Sequence, residues 1–139
     1  MPGYAGAWLD QSVNPAYGTV ADDEEDQFEI DMSMNDPMQL VLNVSTTGDL
    51  AQVERELRGL WGGKLCVSPA PGEKTEAELQ AIVAEITGDS EDLLGTGVDT
   101  MTGTVSVSVI FDDGSMQDEL DARFGEGIVT VDSALVPWP

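Results

Sequence analysis

The side chains able to do chemistry in this chain are almost all carboxylates. Asp22-Asp23-Glu24-Glu25-Asp26 and Asp112-Asp113-Gly114 gather oxygens of the kind that hold a hard cation such as calcium. Neither has the ligand spacing of an EF-hand loop, and Asp31-Met32-Ser33-Met34-Asn35 lacks the central glycine and the closing glutamate. The first therefore reads as a solvated loop and the second as a turn. Paired carboxylates also serve glycoside hydrolysis, where their separation sets the stereochemical course. With 27 Asp and Glu in 139 residues some pair will always fit, so the pattern singles out none. The chain has no histidine, which removes Ser-His-Asp and Cys-His catalysis and most zinc sites. Cys66 is the single cysteine, so it has no partner for an intramolecular disulfide. Set between Leu65 and Val67, it reads as a small buried strand residue rather than a nucleophile. Gly95-Thr96-Gly97 lacks the third glycine of a nucleotide loop and precedes a strand. No residue is assigned a catalytic, cofactor-binding or metal-ligating role, and a protein that is not an enzyme is expected.

Charge narrows the partners. Five Lys and Arg face the 27 acids, for a formal net charge of -22. Nucleic acid and anionic membranes are poor partners for such a field, and salt should relieve its self-repulsion. The acidity fits a solvated surface, including one suited to high salt, or a site for a basic partner. It also fits mimicry of DNA, which requires about one charge per 1.7 Å of duplex axis. Met32, Met34 and Met38 beside the acidic run, and Trp138 between two prolines, are the candidate partner-binding residues. Ordinary hairpin packing is the alternative for the methionines. No apolar run approaches a membrane span, and the N-terminus lacks the basic and apolar regions of a signal peptide. The expected location is the cytoplasm, or outside the cell with the signal peptide removed.

The elements that must position these residues repeat. Glu56-Leu57-Arg58-Gly59-Leu60-Trp61-Gly62 precedes Leu65-Cys66-Val67, and Glu119-Leu120-Asp121-Ala122-Arg123-Phe124-Gly125 precedes Ile128-Val129-Thr130. Each copy reads as an amphipathic helix stopped by glycine, then a short strand. Strands are predicted at Tyr4 to Leu9, at Leu40 to Val44 and, most clearly, at Thr104 to Phe111 with its Val105, Val107, Val109 alternation. Asp49 and Ser115 are candidate caps for the two repeated helices, the first with Leu50, Val53, Leu57 and Trp61 as its buried stripe. Thr75 and Glu78 form a capping box before a connecting helix of Leu79, Ile82, Val83 and Ile86. The five acids from Asp22 to Asp26 are expected in an exposed loop, and Phe28 and Ile30, alternating with acids, suggest a strand start.

The expected fold class is therefore α/β (α+β). A single domain, 1-139, is expected to hold two tandem strand-strand-helix-strand units at about 4-68 and 93-132. A helix at about 75-87 joins them, an acidic loop is inserted at about 11-37, and the sheets are mostly antiparallel with helices packed on one face.

Tyr4-Ala5-Gly6-Ala7-Trp8-Leu9-Asp10, the Gln39 to Val44 strand, the Thr75-Glu76-Ala77-Glu78-Leu79 helix and Gly97-Val98-Asp99 through Val105-Ser106-Val107 resemble the pro-regions of actinobacterial secreted chymotrypsin-like serine proteases, of the streptogrisin and alpha-lytic type. The chain is also similar to small acidic actinobacterial proteins of uncharacterised role that carry its Trp-Gly-Gly, Leu-Cys-Val and Ala-Glu-Leu elements. The likeness runs from Tyr4 to about Val131 and, apart from Gly-Ala-Trp-Leu-Asp, is one of order and pattern. It implies paired α/β units that hold a partner protein, as folding chaperone or inhibitor, and would bring the stretch from Ser133 to Trp138 towards that partner. Compared with those pro-regions, the loop from Asp22 to Asp36 is longer and more acidic.

Overall fold

The computed structural model describes residues 1-136 and 138. Its strands are β1 (Tyr4–Asp10), β2 (Val41–Thr46), β3 (Lys64–Pro69), β4 (Leu93–Asp99), β5 (Thr104–Val109) and β6 (Val129–Ser133). Its helices are α1 (Glu24–Met34), α2 (Leu50–Arg58), α3 (Glu76–Asp89) and α4 (Ser115–Phe124). The strands form two three-stranded sheets, ordered β1-β2-β3 and β4-β5-β6. The fold is thus α+β, with helices packed on the sheets.

The two units match strand for strand. In each, the first pair is antiparallel with a register shift at the same place, Tyr4/Gly6 and Leu93/Gly95. In each, a helix then crosses over to a third, parallel strand. Half of the strand pairs are therefore parallel, rather than the sheets being mostly antiparallel. The cause is the helix inside each unit, since a parallel neighbour needs a crossover. Pairing Leu42 with Leu65 and Val105 with Val129 aligns Leu65 with Val129 and Cys66 with Thr130. The repeated sequence alone matches Leu65 to Ile128, one residue earlier. Between α4 and β6 lie Gly125 and Gly127, with φ of 102° and 81°, and their turn shifts the strand by one residue.

Several local expectations change. The acidic stretch is helical: Asp23 caps α1 by accepting from the Asp26 amide at 2.9 Å, and Glu24, Glu25 and Asp26 fill the first turn, where the helix dipole favours negative charge. α2 ends at Arg58 with Gly59 as C-cap, so Trp61 lies beyond it. The Trp61 indole N–H donates to the Lys64 carbonyl at 3.1 Å, and its ring lies against Gly63. Leu50 is exposed rather than part of a buried stripe. Ser115 opens α4 without capping it; Asp113 accepts from the Ser115 amide and Asp112 from the Met116 amide, both at 3.0 Å. Cys66 is exposed, because strand alternation turns it away from the side shared by Leu65 and Val67.

The main core belongs to the second unit. Leu79, Ile82 and Ile86 of α3 and Leu120 of α4 cover Val105, Val107, Val109 and Val129. α4 also secures β6 by hydrogen bonds. The Gln117 side-chain amide donates to the Val129 carbonyl and accepts from the Val131 amide, both at 2.9 Å. Arg123 ties α4 to α3 through Glu85 and, at 2.8 Å, Asp89, and both carboxylates raise the pKa of its guanidinium.

Candidate partner-binding surface

The second unit shows what the shared fold requires, and so marks what the first unit adds. Four residues, Thr100 to Gly103, join β4 to β5, whereas thirty, 11-40, join β1 to β2. This insertion includes α1 and, in residues 22-36, eight acids with no Lys or Arg. The ββαβ unit forms without such a segment.

Side-chain hydrogen bonds tether the C-terminal turn of α1. Gln11 donates to the Met34 carbonyl at 3.0 Å, and the buried Asn14 donates to the Ser33 carbonyl at 2.8 Å. The Asn14 amide oxygen in turn accepts from the Ser33 hydroxyl at 3.1 Å and the Ala16 amide at 2.9 Å. The rest of the helix projects, and none of its residues is buried. Phe28 is 65% exposed and Met32 60%, and their four-residue spacing sets them on one helical face between carboxylates.

The four candidate residues from the sequence separate. Met32 is exposed on α1, Met34 is half-buried where α1 is tethered, and Met38 is exposed on the short 3-10 turn Pro37–Gln39 that leads into β2. Trp138 is 95% exposed, in the tail that follows β6 in the second unit. The two prolines that flank it, 137 and 139, lie outside the described residues. Phe28 joins the candidates only through its exposure on α1; the sequence signal for it is the aspartate cap and acidic first turn, which make its neighbourhood a helix.

Several acids outside the insertion serve local structure. The Asp112 and Asp113 carboxylates accept from the first amides of α4, and the bonds from Ser115 lower the pKa of Asp113. In the capping box of α3 the Thr75 amide donates to Glu78 at 2.7 Å and the Glu78 amide to Thr75 at 3.2 Å, and the bonds from Thr75 lower the pKa of Glu78. Burial, and then the charge of Glu76, raise the Tyr4 pKa where β1 meets the start of α3. A cleft of about 500 Å³ beside the end of β5 is lined by Asp92, Ile110, Phe111, Asp112, Asp113 and Met116 among others. Among the described residues no group of three or more acidic or cysteine side chains is placed to hold a metal ion, and no helix is long and apolar enough to cross a membrane.

No protein-family model matches the chain, and no curated protein matches it.

Proposed function

We propose that the chain is a non-catalytic protein-binding domain whose contact surface is the acidic insertion between β1 and β2. Its mode of action is that of the serine-protease pro-regions it resembles, as folding chaperone or inhibitor. The observation that carries the reading is the exposed Phe28 and Met32 pair on α1, in a segment the sister unit does without. Apolar side chains held in water on a projecting helix add little to the core and offer area to a partner.

The test replaces residues 11-40 by the short turn that joins β4 to β5. The shortened chain is expected to keep its circular dichroism spectrum. It should lose the full chain's effect on the refolding yield and activity of a panel of secreted chymotrypsin-like proteases. A full chain with no effect on any of them overturns the pro-region-like mode; an undiminished effect of the shortened chain overturns the insertion as the site.

A second reading, an accessory protein with an acidic surface that binds a basic partner or mimics DNA, draws on the eight acids of residues 22-36. On α1, Glu24, Glu25, Asp26, Glu29 and Asp31 spread round the axis at about 100° per residue rather than forming two rows. That distribution favours a basic protein over mimicry. Binding abolished by high salt alone would support it.

A further inference from the structure

The duplicated register shows what covers a sheet face in one unit and leaves the matching face open in the other. In the second sheet Val98, Val105 and Val129 stand side by side across three strands. α3 and α4 pack over this side, and Val105 and Val129 are buried. The matching row in the first sheet is Leu9, Leu42 and Leu65. There α2 takes the crossover place of α4, while α3 packs on the second sheet, and among the described residues Leu9 and Ala7 stay exposed. α3 meets the first sheet beside Tyr4, at the opposite end of β1 from Leu9. Leu9 is 59% exposed, its sheet neighbour Ala7 is exposed, and Leu42 and Leu65 are half-buried.

We propose that this open face, at Ala7, Leu9, Leu42 and Leu65, receives an amphipathic α-helix of a partner protein, with the apolar spacing of α3 and basic flanks. The spacing follows from the sister unit, where Leu79, Ile82 and Ile86, with Val83 partly buried beside them, cover the equivalent valines. The basic flanks follow from charge. The insertion with eight acids leaves the sheet between the strands that carry Leu9 and Leu42, and the whole chain carries -22. A second copy would bring the same charge and be repelled. The inference extends the protein-binding reading to a surface separate from α1, and the two can fail separately.

The probe is a synthetic helix with the sequence from Thr75 to Asp89, stapled on its polar face. It keeps Leu79, Ile82, Val83 and Ile86 and carries lysine in place of Glu76, Glu78, Glu85 and Asp89. A control of the same composition has its apolar stripe scrambled. Fluorescence anisotropy with the full chain should show binding by the striped helix at least about 10-fold tighter than by the control. Leu9→Gln should weaken binding by a similar factor, and because Leu9 is exposed the variant should keep the wild-type Tm. Phe28→Gln should leave binding unchanged, and amide shifts in the NMR spectrum should cluster at Ala7, Leu9, Leu42 and Leu65. No binding, equal binding of the scrambled helix, or indifference to Leu9→Gln overturns the proposal. So does a shift of the effect to Phe28→Gln, which would place the helix on α1 instead. A dimer in sedimentation velocity that Leu9→Gln dissolves would make a second copy the occupant and likewise overturn it.

Discussion

Thr100 rests on Gly6. A Cβ built on Gly6 would come within 2.3 Å of the Thr100 Cβ, far inside van der Waals contact. Nearby, a Cβ on Gly103 would meet the Gly72 amide nitrogen at 2.7 Å, so the turn between β4 and β5 also lies against the connector ahead of α3. Backbone rather than large side chains joins the two units at these points.

Gly6→Ala is therefore expected to destabilise the chain by about 1–3 kcal/mol through overpacking. Because the clash is with Cβ itself, Thr100→Gly should restore much of the loss in the double variant, while Thr100→Ser should not. Urea unfolding of wild type, the three single variants and the two double variants checks this, and additivity of Gly6→Ala and Thr100→Gly would refute the contact.

Burial predicts an asymmetry between the units. Leu79 lies fully buried against the valines of β5, so Leu79→Ala should cost about 2–5 kcal/mol. Leu9→Ala removes a side chain that is already mostly in water and should leave Tm nearly unchanged. Comparable losses at both positions would mean that the first sheet is covered in solution.

Gln117 bonds β6 on both sides of Thr130. Gln117→Leu keeps the bulk and removes both bonds, at an expected cost of about 1–3 kcal/mol. Hydrogen exchange should then quicken at the Val131 amide first, and protection equal to wild type there would contradict the bridge.

Glu78 gives a pH dependence of known sign. Its folded pKa lies below the ordinary 4.5 because the charged form accepts bonds from Thr75. The stabilisation is fully present above 4.5 and is lost as pH falls through the lower folded value. The Tm advantage of wild type over Glu78→Gln should hold near neutrality and shrink on acidification; a gap that widens in acid would reverse the assignment.

Net charge sets the response to salt. Raising NaCl from about 0.01 M to about 1 M shortens the Debye length from ~30 Å to ~3 Å, so Tm in a scanning calorimeter should rise. A flat or falling Tm would mean that the 27 carboxylates do not strain the fold.

The duplicated strands were legible because period two is plain in Val105, Val107 and Val109, where one face is buried. The same rule misled at Phe28 and Ile30, which also alternate with acids. With no core behind that segment, the cap at Asp23 and the acidic first turn favour a helix instead. Cys66 misled by its apolar neighbours, although its parity already set it opposite Leu65 and Val67. Met32, Met34 and Met38 could be named as candidates from sequence, and Met34 proves half-buried; the exposure of Phe28 could not be read, because it depends on the segment being a helix. The open row at Leu9 was hidden for another reason: it is visible only when both units are laid in register.

Cys66 and Trp8 flank Asn43 in one row across the first sheet, about 10 Å apart at two strand spacings. The thiol is the only one in the chain, and Trp8 and Trp61 both belong to the first unit. A single dye on Cys66 would therefore quench or accept light mainly from its own half of the molecule. The melting of that half could then be watched optically while amide signals report the other, which makes the independence of the two repeats directly measurable.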